Sequence, residues 1–361
     1  MKARITTVWL LAAMAVALAF LAAVMLTSRQ VKSAIAEVQY EAACNMTYAE
    51  LYIRQQLEQM GISAEADDLN DTLLIGPEVT ELTTTNGAIE AKRTSLVPDF
   101  ASAMVRYYTQ AGLNAGDTVA IGTSGSFPGL AIASIAAAGT MGLNIKVIAS
   151  LGASMHGATR VEFNIFDILL ALKESGVADF DLVAVSQGST KDQGGGAWDG
   201  FYYEGTKALF REMCEETAAE TGAVFIDCPD LGDSIRMRLE LFGNVDLFVN
   251  VGGSGASNGT TTRILDVPAG LVTSFGNIPD DSTRGLVFEY LARGIPVVNL
   301  LNVRQLASDN GIAYDPVPMP EPGVSGVYMQ TSYSAALIIT GIICTLGILA
   351  AGVILSGRNR R

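Results

Sequence analysis

Residues 117–154 read DTVAIGTSGSFPGLAIASIAAAGTMGLNIKVIASLGAS, and they set out a strand, a loop, a helix and a second strand in order. Residues 119–121 are a short apolar run. GTSGSFPG then breaks it with glycines, serines and a proline placed for the first turn of the next helix. The expected helix, residues 129–141, is apolar nearly all round but at about 13 residues too short to cross a bilayer, which suits burial against a sheet. Residues 145–150 are the returning strand. A right-handed βαβ unit of this kind puts Ser124, Gly125 and Ser126 at the carboxyl edge of a parallel sheet, beside the positive end of a helix.

The alternation continues outward from this unit. A helix over 163–174 precedes a strand at 182–185, a helix over 204–221 a strand at 224–226, and a helix over 234–242 a strand at 246–251; a last helix at 283–293 and strand at 297–301 close the series. Six β runs separated by helices predict an α/β fold: a mainly parallel, Rossmann-like sheet of about six strands covered by helices on both faces. Upstream, residues 32–60 carry apolar positions at three- and four-residue steps and read as a stalk helix continuing from a membrane span. Residues 64–85 read as a short strand or loop, and 98–111 as a helix.

The ends of the chain explain its 49% apolar content and mean hydropathy of +0.33. Residues 8–26 and 335–355 are uncharged runs of about 19 and 21 residues, each long enough for a hydrocarbon core of about 30 Å. The expected organisation is therefore a tail at 1–7, a transmembrane helix at 8–27, a stalk and connector at 28–84 and an α/β domain at 85–315. A Pro/Gly linker at 316–334, a second transmembrane helix at 335–356 and a basic tail at 357–361 complete it. A signal peptide cut at Ala34-Ile35-Ala36 is the alternative for the first run, but that run exceeds an ordinary signal core, and Arg29 and Lys32 precede the site. Lys2 and Arg4 before the first span, with Arg358, Arg360 and Arg361 after the second, predict a cell-membrane protein with both termini cytoplasmic and the central domain outside.

Setting aside the seven basic residues that flank the spans leaves 16 against all 37 acidic residues, a net charge of −21. That excludes a nucleic-acid partner and predicts a solvated surface repelled by anionic headgroups. Cys44, Cys214, Cys228 and Cys344 form no CxxC pair and His156 is the only histidine, so neither a metal site nor a cofactor is indicated. Cys214 and Cys228 read as unpaired thiols, with a disulfide as the alternative.

Because the sheet is parallel, the loops after its strands gather on one edge, and these loops are rich in Gly and Ser: GTSGSFPG, SLGASMHGA, SQGST and GGSGASNG. They predict a pocket in which backbone N–H groups, with Ser124, Gly125, Ser126, Ser154, Gly252, Gly253 and Ser254, hold carboxylate or phosphate oxygens. Ordinary tight turns are the alternative. A serine hydrolase is a competing reading, with Ser124 or Ser126 as nucleophile, His156 as base and Asp192 or Asp227 as orienter, although Ser126 stands where a nucleophile elbow has its last glycine. Glu90, Lys92, Arg93 and Thr94 form the one compact mixed-charge cluster; Lys92 and Arg93 are expected either to hold a carboxylate or to close a salt-bridged turn with Glu90. Trp198, in a glycine-rich loop, reads as a lid or as core.

Three segments, TNGAIEAKRTSLVPDFA, AIGTSGSFPGLAIASIAA and VIASLGASMHGA, resemble in order the poly-γ-glutamate system protein family, a membrane-attached component of poly-γ-glutamate capsule synthesis. The resemblance is clearest over 85–155 and extends over 85–306. It implies an accessory role in making or exporting the γ-linked polymer, with the membrane subunits of poly-γ-glutamate synthase as partners and the glutamate polymer, or another small carboxylate, as ligand. No catalytic residue is carried over from it. A domain of this net charge repels a polyanion overall, so the expected contact is a restricted site rather than a broad surface. The alternatives are a hydrolase or transferase of γ-glutamyl amides and a phosphate-ligand-binding domain.

Overall fold

Thr118–Ser124 (β1) is the centre of a seven-stranded sheet. The computed structural model describes residues 7–195, 205–280 and 282–358. The other strands are Asn144–Ser150 (β2), Asp181–Ser186 (β3), Val224–Ile226 (β4), Leu247–Val251 (β5), Gly270–Val272 (β6) and Val297–Leu300 (β7). Their order is β4-β3-β2-β1-β5-β7-β6, with β6 antiparallel to β7 and all other neighbours parallel. All six predicted strands are present. The seventh, β6, is a three-residue strand on the sheet's edge, antiparallel to β7.

The chain steps outward from β1 through β2, β3 and β4, then returns to lay β5 on the other side of β1. The strand order reverses there, and the loops after β1 and β5 diverge to open a crevice at the carboxyl edge. Side chains alternate across the sheet as the pleat requires. Val119, Ile121, Val147, Ala149 and Val249 enter the core on one face, whereas Ala120, Ile148 and Phe248 enter the core on the other.

Helix Pro128–Thr140 begins with the predicted proline and is buried at every position from Pro128 to Ala138, which is why its sequence is apolar all round. It lies on the sheet, and helices Ala36–Gln59 and Asp99–Gln110 pack over it. The expected stalk is thus a layer of the domain: Ala42, Met46, Ala49, Ile53 and Leu57 form one buried stripe. The first apolar helix does not run on into it, because Thr7–Leu26 is followed by a separate strand, Arg29–Lys32. The proline-rich stretch read as a linker is also fastened to the domain. The Asp99 carboxylate accepts from Gly323 N and Ser325 N at 3.0 Å and from Tyr328 Oη at 2.5 Å. Cys214 and Cys228 are both free thiols.

The chain divides into two compact units, the domain just described (Ile35–Tyr328) and one made from the two ends. In the latter, helices Thr7–Leu26 and Ala335–Arg358 pair, and Arg29–Lys32 runs antiparallel to Met329–Ser332. Gly341 lets the helices approach closely, since a Cβ there would lie 2.8 Å from Phe20 Cβ. Each helix is long and apolar enough to cross a membrane, with a mean hydropathy of 2.6.

Candidate functional site

The crevice at the strand reversal holds a cleft of about 710 Å³. Its walls come from the segment Thr84–Ala88, the loops after β1, β2, β3 and β5, and the chain that follows β7. Ser124 ends β1, and Ser126 sits in the turn before the buried helix. Ser154 closes a two-residue strand, Ala153–Ser154, that pairs in parallel with Thr83–Thr85. All three serines are at least nine-tenths buried, yet line the cleft.

The turns are as tight as their glycines imply. Gly252 has φ +87°, and a Cβ there would lie 2.7 Å from Ser124 Oγ. Gly125 donates its N–H to the carbonyls of Ser150 and Gly152 at 3.2 Å each, so that N–H braces the β1–β2 turns rather than facing a ligand. Ser126 Oγ accepts from Ser154 N at 3.1 Å, and Ser254 Oγ caps the short helix Gly255–Asn258 by accepting from Ser257 N at 3.2 Å. Gly253 and Ser254 line the cleft; Gly252 and Gly125 stand behind it.

The mixed-charge cluster divides. Helix Ile89–Ser95 carries it, and the helix turns Lys92 and Arg93 in different directions. Arg93 makes two hydrogen bonds to the Asp315 carboxylate, at 2.6 and 2.7 Å, and a third to the Asp67 carbonyl at 3.0 Å. Thr94 Oγ1 donates to the Glu90 carbonyl at 2.6 Å and accepts from Asp315 N at 2.9 Å. Arg93 and Thr94 therefore hold the segment after β7 onto the domain, and neither they nor Glu90 line the cleft.

Lys92 turns inward and is 1% exposed. Its Nζ lies 2.5 Å from Ser154 Oγ, donates to the Ser126 carbonyl and sits 3.9 Å from the centre of the Phe127 ring. With no carboxylate partner among the described residues, burial disfavours the ammonium and brings its pKa down to about 7.

The expected Ser–His arrangement is not assembled. Among the described residues His156 makes no hydrogen bond to Ser124 or Ser126 and is not part of the cleft wall. Its backbone is left-handed, φ 60°, and its carbonyl accepts from Gly76 N at 3.4 Å. Neither proposed orienter is free: Asp227 pairs with Arg211 at 2.5 Å, and Asp192 pairs with Arg238. The latter is a buried centre of its own on the far side of β2. Arg238 donates to Asp192 Oδ2 and to Ser186 Oγ, both at 2.6 Å. Asp192 also accepts from Ser234 Oγ at 2.5 Å, Ser186 Oγ at 2.9 Å and Gly188 N at 3.1 Å. Trp198 lies outside the described residues.

The structure adds residues from after β7. Asn302 caps helix Val303–Asn310, and Arg304 in its first turn stacks on Tyr314, 4.0 Å from guanidinium carbon to ring centre. Arg304 and Asp266 are the charged groups of the cleft wall among the described residues. A sequence signal existed for Arg304. A cation in the first turn of a helix opposes the helix dipole, and here it does so just past the carboxyl end of a strand, in a strongly acidic domain. The eight-residue helix that carries it was too short to stand out.

No cluster of three potential metal ligands occurs among the described residues. The chain matches no family model, and no curated protein matches it.

Proposed function

We propose that this chain is a membrane-attached accessory protein whose Rossmann-like domain holds carboxylate-bearing ligands, glutamyl units of a γ-linked polymer, in the cleft at the strand reversal. The observation that carries the reading is Arg304: an exposed guanidinium oriented by Tyr314 in the wall of a cleft whose other charged group among the described residues is Asp266 and whose remaining lining is hydroxyl, amide and apolar, in a domain of strongly negative net charge. A guanidinium with two parallel donors fits a carboxylate, and the acidic surround keeps a long polyanion from adhering elsewhere. The resemblance to the poly-γ-glutamate system proteins supplies the ligand class and the partners, the membrane subunits of the synthase. The two apolar helices supply the attachment, with both termini cytoplasmic and the domain outside.

Calorimetric titration of the full chain in detergent with a short γ-glutamyl peptide tests this. Arg304→Ala is expected to weaken binding by about tenfold or more, and added salt to weaken it in the wild type. Equal affinity in wild type and Arg304→Ala, or no binding to either, overturns the reading.

A further inference from the structure

Ser154 in the cleft wall is paired with a lysine buried behind it, and ligand binding alone does not use that pair. Lys92 Nζ and Ser154 Oγ are 2.5 Å apart, both residues are buried, and Ser154 opens onto the cleft. The Gly87 backbone passes close to both. A Cβ at Gly87 would lie 3.0 Å from Lys92 Cε, 3.2 Å from Ser154 Oγ and 2.6 Å from the Met155 carbonyl, so only a glycine lets the backbone cover the pair this closely. Ser126 Oγ, by accepting from Ser154 N, fixes the backbone that presents the Ser154 hydroxyl.

We propose that Ser154 and Lys92 form a nucleophile–base pair for acyl transfer, acting on the amide or ester carbonyl of a substrate whose carboxylate is held by Arg304. The carboxylate half of this rests on the binding reading above; the pair itself does not.

A lysine can serve as a base only as the neutral amine, and its surroundings favour that form. The charged or titratable groups on the elements around it are Glu90 and Arg93 on its own helix, Arg304 and Asp309 on the helix packed against it, and His156 two residues beyond Ser154. None is an ion-pair partner of Nζ, and helix Pro128–Thr140 brings no charged side chain. Nζ donates to the Ser126 carbonyl and to Ser154 Oγ; in the neutral amine one donor is replaced by a lone pair, and the short contact to Ser154 Oγ lets that lone pair accept the hydroxyl proton. In the step, Ser154 Oγ bonds to the acyl carbon, its proton passes to Nζ, and the carbonyl π pair moves onto oxygen. Collapse breaks the bond to the leaving amine or alcohol, which takes the proton from Nζ and leaves an ester on Ser154. Water, or an acceptor amine, then attacks that ester by the same proton path in reverse, giving hydrolysis or transfer.

The test uses a fluorophosphonate probe, from which a serine oxygen displaces fluoride, on the full chain in detergent. Peptide mass analysis is expected to place the adduct on Ser154, with a rate in the wild type that rises with pH through about 7. Ser154→Ala is expected to abolish it, Lys92→Met to slow it by about 100-fold or more, and His156→Asn to leave it unchanged. No Ser154 adduct between about pH 6 and 9, an adduct that persists in Ser154→Ala, loss in His156→Asn, or a Lys92→Met rate within about threefold of wild type each overturns the proposal. Two esters separate it from the binding reading. Arg304→Ala is expected to slow hydrolysis of p-nitrophenyl hemisuccinate but not of p-nitrophenyl butyrate. If it slows neither while Ser154→Ala stops both, the carboxylate assignment fails and the pair stands; if γ-glutamyl peptide binds but neither ester nor probe reacts, the pair fails alone.

Discussion

Two buried polar centres lie at the carboxyl edge of the same sheet, and they are built on opposite terms. On the far side of β2, Arg238 and Asp192 are 3% and 1% exposed at their side chains, and each is met by the other and by the hydroxyls of Ser186 and Ser234. Charge is matched to charge, and the centre is closed. At the strand reversal, Lys92 is buried as deeply but is met by a carbonyl, a hydroxyl and an aromatic face, none of which carries a compensating charge, and its serine partner opens onto a cleft. A matched pair holds elements together, whereas an amine buried without a carboxylate costs stability and is the kind of local inconsistency that accompanies a site.

The largest effect expected from this contrast falls on the closed centre. Asp192→Ala leaves the Arg238 guanidinium buried without a counter-charge and is expected to cost about 3–5 kcal/mol in urea unfolding of the full chain, with the cleft's ligand affinity unchanged once folded. A loss under about 1 kcal/mol would mean that the pair is not the anchor described here.

The open centre should respond in the opposite sense. The folded chain lowers the Lys92 pKa from its usual 10.5 to about 7, so between those values the unfolded chain binds the extra proton and stability rises with pH. Lys92→Met is therefore expected to be as stable as wild type or more stable, by up to a few kcal/mol below pH 7, and to lose much of the pH dependence between about 7 and 10. A strongly destabilised variant at neutral pH would contradict the contrast. Neighbouring Arg93 sharpens it within one helix. Its guanidinium is held by Asp315 and is largely buried, so Arg93→Ala should cost about 1–3 kcal/mol while leaving fluorophosphonate labelling within about twofold of wild type. Gly252→Ala is expected to cost about 1–2 kcal/mol, because it combines a left-handed backbone with a methyl 2.7 Å from Ser124 Oγ.

Much of this was legible in residues 117–154. Proline and glycine punctuation fixed the βαβ unit, and the buried helix advertised itself by lacking a polar face. Ser124, Ser126 and Ser154 meet because loops after parallel strands share an edge, which is a property of topology that alternation alone implies. What the sequence could not supply was pairing across long separations. Lys92 and Arg93 are adjacent and chemically alike, and only the partners they reach, Ser154 and Asp315, set them apart. Asp192 looked available as an orienter until Arg238, 46 residues on, claimed it. Asp99 likewise turned an apparent linker into part of the domain by capping Gly323 and Ser325.

The most direct test of the central claim, that the open centre is the site and the closed one is not, is amide hydrogen exchange on the full chain with and without a short γ-glutamyl peptide. The account predicts slowed exchange confined to the cleft-lining segments, around Thr84–Ala91, Ser124–Phe127, Gly152–Ser154, Ser189–Thr190, Gly253–Ser254, Ile264–Ala269 and Asn302–Gln305, with helix Leu231–Phe242 unchanged. Protection centred on helix Leu231–Phe242, or none at the strand reversal with the peptide in excess, would contradict it.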